Sequence, residues 1–407
     1  MKKFLMLLII NVLLFAGDVS RKGTTGADEL LIPVGARSIA TAGAFVANSQ
    51  GLEAIYYNPA GLAAYQGSGE MMFSYTSYLA DIKLSYFAAS FNDKSLGSVA
   101  LSVKNLDFGK INVTTTSKPD GDGSTYSPTF LTTNLTYAKV ITDRVTAGAN
   151  MKIIYEKIGN ASATGIGLDF GVQYKFDELP LWLGAAIKNV GTNMRFTGQD
   201  LQQKYYPVNN IFDAKPVTSE IVTEEFEIPS YFELSMAYDY KFDDDVSLLT
   251  GFNFRNNNAM EDLLQVGAEF SYVEMFYLRA GYETYLQNTD KNIYDYTLGA
   301  GIKYDFTRSL SITFDYAYRN VNEKAFDANH VFSVKLGFWL YIKKAAKIAA
   351  FFILNLIFLI KYIIFTVQKM ESWQSGWMRR SWKPLYWGTG IRGSNPWLSA
   401  KQKAIYW

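Results

Sequence analysis

Between residues 68 and 338 the chain alternates hydrophobic and polar side chains with a period of two. In "RVTAGANMKIIYEK", apolar side chains occupy the odd positions from Val145 to Tyr155, and mostly polar or small ones occupy the even positions from Thr146 to Glu156. This period is typical of a β-strand whose two faces meet different environments. One face suits lipid, and the other suits water or a polar plug.

Fourteen segments share this pattern, and they predict an all-β fold: a closed transmembrane barrel of antiparallel strands. The predicted strands are 68–79, 82–92, 96–107, 128–140, 143–156, 163–176, 180–193, 228–241, 245–256, 261–272, 274–285, 292–305, 309–320 and 326–338. Short links alternate with longer ones, including 107–127 and 194–227, as periplasmic turns alternate with external loops in outer-membrane barrels. We therefore expect residues 67–338 to form the barrel, with both of its ends on the periplasmic side. A soluble β-sandwich is the alternative, but its outward face would be polar.

The first twenty residues, "MKKFLMLLIINVLLFAGDVS", have two lysines, an apolar run and small residues after it. This pattern predicts a secretory signal peptide over 1–18, cut between residues 16 and 20. The alternative, a membrane anchor helix, would need a longer apolar run.

The last strand, "HVFSVKLGF", places Phe332, Val334, Leu336 and Phe338 on one face and ends on the aromatic residue. We interpret this row as the signal by which the barrel assembly machinery recognises an outer-membrane protein. Residues 339–407 differ abruptly in composition, because they hold seven of the eight Trp and 11 Lys or Arg against one acid. Our hypothesis is that they are read-through of non-coding DNA with a tRNA gene, since Gly-Ser-Asn-Pro at 393–396 is what a T-arm sequence encodes. A basic C-terminal anchor is the alternative.

Composition excludes several kinds of chemistry. The chain has no Cys and one His, so the usual thiolate, zinc and Ser-His-Asp sites are not available, and we expect no enzyme, no cofactor and no metal site. The part before residue 339 holds 28 basic and 37 acidic residues, a net charge of −9, which does not favour nucleic acid as a partner.

Residues 24–66 lack strand alternation and are rich in Ala and Gly, and they are too few for an independent domain. We expect this segment to fill the lumen as an N-terminal hatch. It contains a motif, Asn58, Pro59, Ala60 and Gly61, in which Asn caps a helical turn, Pro starts it and Gly permits close packing.

The stretches "VGARSIATAGAFVA", "EAIYYNPAGLA", "FSYTSYLADIKLSYFAASF" and "NVGTNMRFTGQDL" resemble the PorV/PorQ family of outer-membrane proteins, which is similar to the FadL-type barrels. The resemblance covers about residues 24–338. It implies a fourteen-stranded barrel whose N-terminal hatch carries the Asn-Pro-Ala motif inside the lumen.

Two functions follow from this resemblance. The first is an accessory of type IX protein secretion, which would bind the C-terminal domains of secreted proteins at the external loops and work with the type IX translocon. The second is gated transport of hydrophobic small molecules, such as fatty acids, across the outer membrane. Transport needs an apolar lumen, whereas the inward positions of the strands are mostly polar. Their charged members are Lys152, Glu156, Asp169, Lys188, Glu233, Glu269, Arg279, Glu283, Asp315 and Arg319. We interpret this row as an ion-paired lumen that grips the hatch.

Overall fold

The computed structural model describes residues 21–339 except Lys94, residues 206–216, Asn288, Asp290 and Lys291. The predicted signal peptide and the part of the predicted tail beyond Trp339 lie outside the described residues. Within the described residues, no helix has both the length and the apolar character needed to cross a membrane.

Fourteen antiparallel strands form one closed barrel, as the alternating pattern predicted. The strands are β1 Gly69–Ser77, β2 Lys83–Asp93, β3 Gly97–Asp107, β4 Thr129–Thr142, β5 Val145–Ile158, β6 Ala161–Lys175, β7 Leu181–Gly191, β8 Tyr231–Lys241, β9 Val246–Asn257, β10 Leu263–Tyr272, β11 Phe276–Tyr285, β12 Tyr296–Thr307, β13 Leu310–Arg319 and β14 Asn329–Phe338. Each strand pairs with its neighbours in sequence, and β1 pairs with β14, from Gly69 opposite Phe338 to Ser77 opposite His330.

The two ends of the barrel differ in the length of their connections. At the short-turn end, where β1 begins and β14 ends, the links between strands are brief. At the long-loop end, residues 108–128 carry a small hairpin of Ile111–Asn112 with Thr125–Tyr126. Residues 192–230 carry a second hairpin, of Gln202–Tyr205 with Val217–Glu220.

The hydrogen-bonded pairing of β6 with β7 is irregular in the half that lies nearer the long-loop end. The register shifts between Leu168 and Phe170, and Asn189 on β7 has a left-handed φ of 57°. Above this bulge, the loop after β7 continues the pairing, because Thr192 N–H donates to Ile166 O at 3.0 Å. By contrast β3, which has no Pro or internal Gly, pairs without interruption with β2 and β4.

The outer surface of the barrel is apolar over the middle of the strands. Side chains such as Phe73, Phe170 and Ile302 are half exposed on this face. Toward the short-turn end, residues two positions apart in sequence form T-shaped aromatic pairs, such as Tyr240–Phe242 and Tyr304–Phe306. An apolar band bordered by aromatic rings is what a barrel in lipid requires.

Residues 24–66 form a series of short helical elements, which we call the N-terminal segment. Its α-helices are α1 Ala36–Ala40 and α2 Ala54–Tyr57, and its 3-10 turns are Asp28–Leu31, Val46–Asn48, Gly51–Glu53 and Pro59–Ala64. Nearly every side chain from Val34 to Leu62 is buried, and the segment contacts strands on all sides of the barrel. It therefore lies in the lumen and runs from the long-loop end to the start of β1.

Candidate functional site

Small inward residues line the barrel wall where the N-terminal segment lies against it. Gly251 pairs with Gly267, and Gly267 pairs with Gly281, on three consecutive strands. A Cβ atom at Gly267 would lie 2.5 Å from the Thr41 carbonyl oxygen, and one at Gly184 would lie 2.5 Å from the Ala47 Cα. The backbone of residues 40–47 therefore packs directly on the wall, at a distance that only glycine permits.

The Asn-Pro-Ala-Gly motif packs against another pair of glycines, Gly148 on β5 and Gly171 on β6. The Asn58 side chain accepts a hydrogen bond from the Ala60 N–H at 3.2 Å, so it caps the 3-10 turn that Pro59 begins. Its amide also donates to the Val46 carbonyl at 3.2 Å and to the Val172 carbonyl of the wall at 3.1 Å. Asn58 is fully buried, so these bonds tie the turn, the preceding segment and the barrel together.

A series of buried ion pairs joins α1 to strands β10, β11 and β13 of the barrel wall. The Arg37 guanidinium donates two hydrogen bonds to the Glu269 carboxylate, at 2.8 and 2.9 Å. Glu269 also accepts from Arg279, which reaches Asp315 at 2.7 Å. Burial acts to lower the pKa of Arg37, but the adjacent Glu269 outweighs it and keeps that pKa above its ordinary value.

The same ion-pair chain returns to the N-terminal segment through a lysine. Lys335 on β14 lies 3.1 Å from the Asp315 carboxylate and 3.2 Å from the Glu53 carboxylate of the segment. The Ser38 backbone N–H donates to the same Glu53 carboxylate at 3.0 Å. The segment is thus anchored by charge-assisted bonds at two of its own residues, Arg37 and Glu53.

A cluster of buried lysines occupies the other side of the lumen. Lys152 and Lys188 both contact the Asp169 carboxylate, at 2.9 and 3.0 Å. Lys188 also donates to the Tyr56 carbonyl at 2.5 Å. Asn189, whose left-handed backbone marks the bulge, donates its N–H to Asp169 at 2.8 Å. The bulge therefore places a backbone donor on the carboxylate that the two lysines share.

Two cavities lie between the N-terminal segment and the long-loop half of the wall, and Tyr56 borders both. Cavity 1, of about 40 Å³, is lined on the segment side by Leu31, Pro33, Ile39, Ala42, Gly43 and Tyr57, and on the barrel side by Arg255, Leu263, Gln265, Glu283 and Arg319. Cavity 2, of about 20 Å³, is lined by Leu30, Val34 and Ile55 of the segment and by Tyr86, Lys104, Thr132, Asn134 and Lys152 of the wall.

In both cavities the N-terminal segment supplies most of the apolar lining and the strands supply most of the polar groups. Burial raises the pKa of Tyr56 and of Tyr57, so both phenols stay neutral near neutral pH. In cavity 1 the guanidinium of Arg255 bonds Glu233 at 2.9 Å, and that of Arg319 bonds Glu283 at 2.6 Å. Cavities of this size hold a few water molecules, so a larger ligand could enter only if the N-terminal segment moved away from the wall.

The charged residues predicted to face the lumen do so. Nine of them are buried, and the tenth, Arg319, has only 12% of its side chain exposed, against Glu283. His330 lies on the outer face, where its ring contacts Tyr316. Among the described residues, no group of His, Asp and Glu has an arrangement that could hold a metal ion.

The sequence interpretation underestimated the apolar surface of the lumen, because it considered only the strands. The segment that provides this surface has no periodic pattern. A signal for its docking was nevertheless present: glycines such as Gly148, Gly171 and Gly267 fall at inward positions of predicted strands.

Solved structures with a similar fold include a channel and a transporter. The CymD monoaromatic hydrocarbon channel matches with a TM-score of 0.50 at 13% identity, over 76% of this chain and 98% of that one. The Pseudomonas putida toluene transporter TodX matches with a TM-score of 0.50 at 12% identity, over 75% of this chain and 97% of that one. A Pseudomonas aeruginosa FadL homologue has a TM-score of 0.48 at 14% identity, over 76% and 99%. No family model matches the sequence, and neither does any curated protein. The barrel therefore shares its fold with CymD and TodX.

Proposed function

We propose that the protein is a channel of the Gram-negative outer membrane that admits hydrophobic small molecules, with the N-terminal segment as its hatch. The observation that carries this proposal is the apolar surface that the N-terminal segment presents to the lumen around Tyr56, where two small cavities separate the segment from the polar wall. Leu30 and Leu31 place apolar surface from one turn in both cavities. This ligand class agrees with the monoaromatic hydrocarbon channel CymD and the toluene transporter TodX.

In this proposal the long-loop end faces outward and the short-turn end faces the periplasm. The segment is anchored on the periplasmic half by the glycine row and by Asn58, whereas the cavities lie on the outer half. A ligand would reach the cavities from outside, and the hatch would close the route below them. Fatty acids are one ligand class with the required apolar chain.

Uptake experiments test the proposal with a matched pair of variants on β10. Leu263 lines cavity 1, whereas Val266 lies on the lipid-facing side of the same strand. Cells whose own hydrophobic channels are deleted should gain uptake of radiolabelled toluene or oleate on expressing the protein. Leu263→Trp should return uptake to the level of cells without the protein, and Val266→Trp should leave it unchanged. Equal uptake by both variants would contradict the proposal.

The type IX accessory hypothesis and membership of the PorV/PorQ family remain predictions. The second hairpin exposes Tyr205 and Val217 at the long-loop end, where a protein could dock, but most outer-membrane barrels expose loops there. Affinity purification from the native outer membrane separates the two functions. Recovery of the translocon or of secreted C-terminal domains would favour secretion, whereas co-eluting hydrophobic ligand would favour transport.

We further propose that the outward row of β14, from Phe332 to Phe338, is recognised by the barrel assembly machinery. This row contacts lipid in the finished barrel, and Phe332 is half exposed. Phe338→Gln should lower the amount of folded barrel in the outer membrane, while Phe332→Leu, which stays apolar, should not. Normal assembly of Phe338→Gln would contradict this role.

A further inference from the structure

The turn Asp28–Leu31 is the first buried element of the N-terminal segment as it enters from the long-loop end. Just before it, the Gly26 N–H donates to the Glu227 carbonyl of the long loop at 3.0 Å. Leu30 of this turn lines cavity 2, and Leu31 lines cavity 1. Displacement of this one turn would therefore open both cavities toward the long-loop end.

A pair of carboxyl groups joins the turn to the wall. Glu29 and Glu156 of β5 are each only 3% exposed and interact with each other, and neither carboxyl oxygen of Glu29 accepts a hydrogen bond from a donor among the described residues. The Glu156 carboxyl also accepts from the backbone N–H of Ala27. Two ionised carboxylates are both acceptors, so the contact is a hydrogen bond only when a proton lies between them.

The other charged groups around Glu29 are few. Asp28 belongs to the same turn, and Lys104 of β3 donates to the backbone carbonyls of Glu29 and Ile32, at 2.6 and 3.3 Å. Beyond Lys104 lie Lys152, Lys188 and Asp169, which are paired with one another. The remaining wall of the turn is apolar, from Ile154, Ala163, Met194 and Ile228.

We infer that the Glu29–Glu156 pair is a proton-controlled latch, which holds the turn closed while one proton is shared and releases it when both carboxyls ionise. Two negative charges in a buried contact repel each other, and the opened turn would let both carboxylates hydrate. Because the closed state binds the shared proton more tightly than the open state, a rise in pH must favour opening. Burial raises the pKa of Glu29, which agrees with this direction.

Two further hydrogen bonds hold the closed turn, from Lys104 to the Glu29 carbonyl and from the Tyr56 hydroxyl to the Leu31 carbonyl, and both must break when the turn opens. The Lys104 bond to the Ile32 carbonyl, the glycine row and the ion pairs of Arg37 and Glu53 lie beyond the turn. Ionisation of the pair is therefore expected to free residues 27–31 while the rest of the segment stays docked.

Thiol accessibility can test the latch without any ligand, since the natural chain has no cysteine. Leu30→Cys places a thiol on the buried side of the turn, and Ser117→Cys places one on an exposed loop as the reference. The rate of reaction with a charged methanethiosulfonate reagent is measured for both variants from about pH 5 to about pH 9. Dividing the rate at Cys in place of Leu30 by the rate at the reference site corrects for the pH dependence of thiol ionisation. We expect this ratio to rise by about tenfold or more, since one unit of difference in pKa between the closed and open states gives a tenfold shift.

Two further variants decide whether the carboxyl pair causes the pH dependence of thiol accessibility. Glu156→Gln and Glu29→Gln, each in the Leu30→Cys background, keep a hydrogen-bonding partner at both pH extremes, so their ratio should stay low and flat. A rise of equal size in both Gln variants, or no rise with the pair intact, would overturn the inference. Heat-modifiable migration on gels confirms that each variant is a folded barrel. A role of the latch in admitting ligand rests on the proposed function. The thiol assay contains no transported molecule, so its result can contradict the latch without contradicting transport, and the uptake assay can do the reverse.

Discussion

The side chain of Asn58 lies directly on Gly171 of the barrel wall, in the space that a Cβ atom would occupy. The Asn58 amide passes this glycine to donate to the carbonyl of the next wall residue, Val172. A glycine on a strand and an asparagine in a turn thus form one joint, although 113 positions separate them in sequence.

Gly171→Ala is expected to lower the free energy of unfolding by about 2 kcal/mol, because the added methyl must displace Asn58. Gly167→Ala is the matched control on the same inward face of β6, where the new methyl would meet the flexible end of Ile228 at 3.3 Å and the Lys152 side chain at an ordinary contact distance of 3.8 Å. That control should change the free energy by less than about 0.5 kcal/mol. Guanidinium unfolding in detergent micelles measures the free energy of unfolding of both variants. Equal losses would contradict the close contact between Asn58 and Gly171.

Substitutions of Asn58 can distinguish its role as a helix cap from its role in docking the turn on the barrel wall. Asn58→Asp keeps the acceptor for the Ala60 N–H but loses both donated bonds and sets a carboxylate against the Val46 and Val172 carbonyls. We expect Asn58→Asp to be at least as unstable as Asn58→Ala, with a loss of about 2 kcal/mol or more in each. If Asn58→Asp matched the natural protein in its melting temperature, capping alone would explain the residue.

Arg37→Met should cost about 3 kcal/mol, because it leaves Glu269 buried with Arg279 as its remaining partner. Arg144→Met is the comparison, since Arg144 pairs with Asp177 at the surface and both side chains are about half exposed. An exposed pair contributes about 0–1 kcal/mol, and less in high salt. Unfolding curves at low and high ionic strength should therefore separate the two, and a similar small loss in both would contradict the anchoring role of Arg37.

Glu29→Gln tests the sign of the pH dependence in global stability. Because burial raises the pKa of Glu29 in the folded state, its contribution is fully present below its unfolded pKa and is lost as the pH rises through the folded value. Glu29→Gln should therefore equal the natural protein in stability at about pH 4 and exceed it at about pH 9. A stability difference that is independent of pH would show that Glu29 ionises in the folded barrel as it does in the unfolded chain.

The strand number and the inward charges could be predicted, because a period of two assigns every residue of a strand to one of two faces. Lys152, Asp169 and Glu233 were assigned to the lumen for this reason alone. The start of β12 was predicted four residues early, since residues 292–295 continue the alternation. Loop bonds hold them instead: Asn292 donates its side-chain amide to the Glu283 carbonyl, and Asn320 donates to the Asp295 carboxylate.

The cavities could not be predicted, because they depend on where an aperiodic segment lies within a closed wall. Leu30 and Leu31 are adjacent in sequence, yet they line different cavities, and no spacing rule indicates this. The contact between Glu29 and Glu156 is equally long-range. The bulge at Asn189 was also missed, because the sequence around it, "IKNVG", reads as ordinary strand.

The pairing of β1 with β14 constrains the order in which the molecule can be built. The N-terminal segment is joined to β1 at the short-turn end, but its first residues contact the long loop at the other end, where the Gly26 N–H donates to the Glu227 carbonyl. A closed ring of strands would require these residues to be threaded through the lumen from below. We therefore expect the N-terminal segment to be enclosed before β1 and β14 pair, so that the barrel closes around it.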